Sequence, residues 1–77
     1  MVRVLINIKP KESILIEAKY VAFDSSLCRE KVRIETNKGT IYVNLPDGTL
    51  EKVQLSLLSN GYYDFREYYT DLKFFHN

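Results

Sequence analysis

A chain of 77 residues has room for one core and none for a second domain, and it is read as a single domain over 1–77. Cys28 is its only cysteine, which excludes an intramolecular disulfide and, with a single histidine, leaves too few ligands for a structural zinc site. With 45% hydrophobic and 27% charged residues the composition is that of a folding domain rather than a disordered segment, and the net charge of +1 lacks the basic excess of general nucleic-acid binders.

That small net charge is unevenly distributed. Residues 1 to 38 carry eight Lys/Arg against five Asp/Glu, and residues 39 to 77 carry three against five. The apolar runs around Val4 and Ile14 are far too short to span a bilayer, and the N-terminus lacks the pattern of a secretory signal. A cytoplasmic protein with no membrane partner is therefore expected.

The first element is a strand over 2–9, because Val2, Val4, Ile6 and Ile8 alternate with Arg3, Asn7 and Lys9. Pro10 has no N–H to donate and closes it in a short turn. A second strand is expected over 13–23, where β-branched and aromatic residues dominate. Its length calls for a bend or bulge that serves two parts of a curled sheet. Cys28, Glu30, Val32, Ile34 and Thr36 alternate with Arg29, Lys31, Arg33 and Glu35 in a third strand over 28–36. Asn37-Lys38-Gly39 turns the chain into a fourth over 40–45, and Pro46-Asp47-Gly48 reads as a further hairpin turn returning a fifth over 49–57. Phe65, Tyr68, Tyr69, Leu72 and Phe75 recur at helical spacing, which predicts a C-terminal helix over 65–75 with Asp64 and Glu67 as a capping box. The fold expected is α+β and mostly β. It is a five-stranded antiparallel meander, curled into a bent sheet or a small partly open barrel, with one C-terminal helix.

The inventory for catalysis is poor. His76 lies next to the last residue, and Cys28 falls on the face assigned to the core, so it reads as a small buried hydrophobe rather than a thiolate. No catalytic residue, metal, cofactor or small-molecule substrate is expected, and the chain is not read as an enzyme. Arg29, Lys31 and Arg33 are the sharpest feature, since a period of two projects all three from one face of a strand. Lys19, Lys52 and Tyr42 are expected near them, and Phe74 is left over as an exposed ring. These seven residues are the candidate partner-binding set. The function expected is a non-catalytic protein-binding module, either an accessory subunit or an inhibitor that occludes a larger protein. The alternative is a nucleic-acid-binding small β-barrel that uses the basic strand face.

Overall fold

A computed structural model describes residues 1–26 and 29–76, with side chains described for 1–24 and 30–76. The chain runs β1 (Val2–Lys9), β2 (Glu12–Ala18), β3 (Tyr20–Ser26), β4 (Arg29–Thr36), β5 (Gly39–Leu45), α1 (Leu50–Asn60), β6 (Tyr63–Asp64) and β7 (Thr70–Phe75). Among the described residues it is mostly β with one helix, and the strands form two sheets rather than a closed barrel. The first sheet has the order β2-β1-β6 and the second β3-β4-β5-β7.

The long apolar segment after Pro10 serves both sheets. Chain direction breaks at Lys19, so β2 pairs with β1 in one sheet and β3 pairs with β4 in the other. Lys19 still ties the two halves together, since its N–H donates to the Glu35 carbonyl at 2.7 Å. The β1–β2 turn places Lys11 at φ 64, a left-handed conformation uncommon for a residue with a Cβ. Gly39, at φ 124, ends the β4–β5 turn, where the Thr36 hydroxyl donates to the Gly39 carbonyl and accepts from the Lys38 N–H.

Two elements differ from expectation. Residues 49–57 were expected as a strand but belong to α1, and residues 65–75 were expected as a helix but contain the loop that leads into β7. Gly48 does take positive φ, 82°, and the Thr49 N–H closes the turn on the Pro46 carbonyl at 3.3 Å. Thr49 then falls into the right-handed helical region instead of the extended one. The residues beyond it favour a helix: Leu50-Glu51-Lys52-Val53-Gln54-Leu55 has one β-branched residue, and Leu50, Val53 and Leu57 share a face. Gly61 ends the helix at φ 81 by donating its N–H to the Leu57 carbonyl. The single curled five-stranded sheet is thus replaced by two sheets, with the helix inserted before the last strand.

The core lies between the inner faces of the two sheets. Cross-strand register stacks Val4 beside Ile16 and Ile6 beside Ile14 in one sheet, and Val32 beside Val43 and Ile34 beside Ile41 in the other. Val53 of α1, Phe65 and Phe75 complete the buried cluster. Tyr63 links the sheets, with its ring edge-on to Phe23 at 5.5 Å and stacked on Phe65 at 5.8 Å. Among the described residues no helix is long and apolar enough to cross a membrane.

Candidate functional site

Because successive strand residues point to opposite faces, burying Val32, Ile34, Ile41 and Val43 forces their neighbours outward. Backbone register arranges those neighbours in rows across the four-stranded sheet. One row is Asp24, Lys31 and Asn44; the next is Ala22, Arg33, Tyr42 and Asp71; the last is Tyr20, Glu35, Thr40 and Phe74. The outer face therefore brings together four of the seven predicted residues, Lys31, Arg33, Tyr42 and Phe74, with Tyr20 and Lys73 added. Arg29 continues the alternation of β4 at the backbone, and its side chain lies outside the described residues, as does Cys28.

The rings on this face are capped by the chain's own cations. Lys31 Nζ sits 4.8 Å from the centroid of Tyr42, the Arg33 guanidinium 6.0 Å from Tyr20, and Lys73 Nζ 5.4 Å from Phe74. Tyr42 and Phe74 also meet edge to face at 6.3 Å, joining β5 to β7 on the surface. Tyr20 and Phe74 remain about half exposed. Arg33 is partly engaged, with its Nε 3.5 Å from Glu35 Oε1 but without a hydrogen bond, while Glu35 Oε2 accepts from the Thr40 hydroxyl at 2.9 Å. Neither Lys31 nor Lys73 has a carboxylate within ion-pair distance among the described residues.

Lys52 stands apart from this face, and Lys19 belongs to none of its paired rows. Lys19 occupies the break between β2 and β3. Lys52 lies on α1, where its ammonium donates to Glu67 Oε2 at 2.9 Å; that bond raises its affinity for the proton. It therefore fastens the helix to the loop before β7 instead of joining the sheet face, a consequence of 49–57 being helical. A cleft of about 250 Å³ beside it is lined by Ser56, Ser59, Asp64, Glu67 and Tyr68. Its serine hydroxyls are already engaged: Ser56 donates to the Val53 carbonyl and accepts from the Asp64 N–H, and Ser59 donates to the Leu55 carbonyl. Arg66 grips Asp64 through Nε at 3.0 Å and Nη2 at 2.9 Å, which holds that carboxyl below its ordinary range.

His76 donates its backbone N–H to the Lys38 carbonyl at 2.9 Å, so it closes β7 onto the β4–β5 turn and does not end a helix. Among the described residues no three of His, Cys, Asp and Glu are grouped to hold a metal ion. Tyr20 and Lys73 were not among the predicted residues. The signal for Tyr20 was present in the alternation of the long second segment, whereas Lys73 was hidden by the helical assignment of the C-terminus. No protein-family model matches the chain, and comparisons with curated proteins and with solved structures found no match.

Proposed function

We propose that the protein is a non-catalytic protein-binding module, an accessory subunit or an inhibitor of a larger protein, and that the outer face of the β3-β4-β5-β7 sheet is its docking surface. The observation that carries this reading is the cation-capped aromatic face, in which Lys31 and Lys73 carry charge with no carboxylate partner among the described residues. Aromatic rings beside unpaired cations suit a partner surface that offers both carboxylates and apolar side chains. One feature weighs against single-stranded nucleic acid. Asp24, Glu35 and Asp71 stand in the same three rows, one in each, and would oppose a phosphate backbone.

Site-specific photo-crosslinking in the native host tests the proposal. A photoreactive phenylalanine analogue at position 42 is expected to capture a defined protein, and the same analogue at Leu15, on the other sheet, is expected not to. Capture of nucleic acid at position 42, or an identical pattern from both positions, would overturn it.

A further inference from the structure

β2 is an edge of its sheet, and a single bond tells which of its peptide groups face outward. The Phe65 N–H donates to the Leu5 carbonyl at 2.9 Å, so Leu5 turns its peptide groups toward β6. Its neighbours Val4 and Ile6 then bond to Ile16 and Ile14 of β2, and the N–H and C=O groups of Ser13, Leu15 and Glu17 point to the open side. Those three residues are exposed, Leu15 at 49%. Ile14 and Ile16, on the inner face, are only partly buried, whereas Val4 and Ile6 beside them are fully buried. A cleft of about 220 Å³ opens next to Ile16, bounded by Thr36, Lys38 and Phe75. Sheet edges are commonly blunted by a bulge, a proline or charge, and β7 is guarded in this way: it is bulged, and its Lys73 N–H is taken by the Asp71 carboxylate. From Ser13 to Ala18, β2 pairs without a bulge and carries one charge, Glu17.

We propose that β2 pairs antiparallel with β2 of a second copy of this chain, across a two-fold axis at Leu15, joining the two β2-β1-β6 sheets into one. The strand is self-complementary in that register. Leu15 faces Leu15 of the copy, Ile14 faces Ile16, and Ser13 faces Glu17. The facing pairs at 13, 15 and 17 are those whose open peptide groups meet, so each pair exchanges both backbone bonds. Sliding the copy by two residues sets Glu12 opposite Ile16 in one direction and Glu17 opposite Leu15 in the other, and sliding it by one residue mixes the buried and exposed faces. With Leu15 at the axis, Ile14 of the copy projects from the inner face beside Ile16, where the cleft lies. Glu17 then stands diagonal to Lys11 of the copy, and no carboxylate faces another. A second copy therefore supplies the isoleucine that the cleft can take and the peptide groups that the edge lacks. The seam uses no residue of the docking face proposed above, so the two readings stand or fall separately.

The test is sedimentation equilibrium of the full chain, with amide hydrogen exchange as a second readout. At about 200 µM the parent is expected to sediment at twice its mass of 9.1 kDa. Exchange at Ser13, Leu15 and Glu17 is expected to slow as the concentration rises, while Ile14 and Ile16, already bonded to β1, stay unchanged. Leu15→Lys and Leu15→Glu each alter a half-exposed side chain and set like charges face to face at the axis, so each variant alone is expected to dissociate at least tenfold more readily than the parent. An equimolar mixture of the two sets opposite charges there and is expected to recover the dimer. A parent that is monomeric at about 1 mM would overturn the proposal, as would exchange at Ser13, Leu15 and Glu17 that is independent of concentration. So would a mixture that stays monomeric while the parent dimerises, since residue 15 would then not meet its own copy. The exchange readout needs only the parent and decides the matter even if a variant fails to fold. In the host, the photoreactive analogue at position 15 captures no other protein, and any product there is the chain joined to itself.

Discussion

Gly39 is where the packing of the candidate face can be tested most sharply. Its φ of 124° lies in a region that side chains rarely adopt, and a Cβ there would overlap the Phe74 carbonyl oxygen and lie 3.0 Å from the carbonyl carbon. Phe74 belongs to β7, so the clash is with the backbone of the neighbouring strand and no side-chain rotation relieves it. The backbone conformation alone costs an alanine about 1–3 kcal/mol. Moving β7 aside weakens one or two strand hydrogen bonds, each worth about 1 kcal/mol net. Gly39→Ala is therefore expected to cost about 2–5 kcal/mol, a large share of the roughly 4–12 kcal/mol available to a chain of this length. Gly48→Ala is the control, since Gly48 also has positive φ but open space around its missing Cβ. It should cost only about 1–2 kcal/mol. Urea unfolding followed by far-UV circular dichroism compares the two, and a difference below about 0.5 kcal/mol would refute the close approach of β7.

The same packing sets three further outcomes. Phe65→Ala should destabilise by about 3–5 kcal/mol, because Phe65 is fully buried against Tyr63, whereas Leu58→Ala, 82% exposed on α1, should stay within about 0.5 kcal/mol in the same unfolding assay. Lys11→Gly should raise the melting temperature slightly, since relief of the left-handed conformation outweighs the added freedom of the unfolded chain by a few tenths of a kcal/mol; a lower melting temperature would contradict this. Asp64 is held below its ordinary pKa by Arg66, so its contribution is present above about pH 4 and is lost as pH falls through the folded-state value. In Arg66→Ala the Asp64 carboxyl should titrate closer to its ordinary range in side-chain NMR, and stability should fall less steeply on acidification.

The first half of the fold was legible because its signals are local. Alternation at Val2 to Ile8 and Val32 to Thr36 reports directly which face is buried, and Pro10 and Gly39 mark turns whose backbone demands them. The exchange of helix and strand after Gly48 has a specific cause in β7. Two residues of β7 oppose one of β5 between Thr40 and Tyr42, so the inward positions are Thr70, Leu72 and Phe75. A spacing of two followed by three imitates one turn of a helix, and with Phe65, Tyr68 and Tyr69 upstream it produced a false helical stripe. Tyr69, predicted to pack, is 70% exposed. The true helix was masked by a turn that suits a hairpin equally well, although Gly61 at its C-terminus was a stop signal in the sequence. Lys31 and Arg33 share the outer face of β4 because the alternation of one strand alone sets it. The part played by Lys73 and Phe74 required the pairing of β7 with β5, which joins residues about 30 apart in sequence and leaves no local trace.

The central claim is that the charged outer face guides a protein partner, and it is tested most directly by stopped-flow association of the partner captured at position 42 with the parent and with Lys31→Glu combined with Arg33→Glu. Steering acts mainly on the on-rate, so the reversal is expected to slow association about tenfold or more at low ionic strength and to flatten its dependence on salt. Equal association rates at low salt for parent and variant, with both folded, would contradict it.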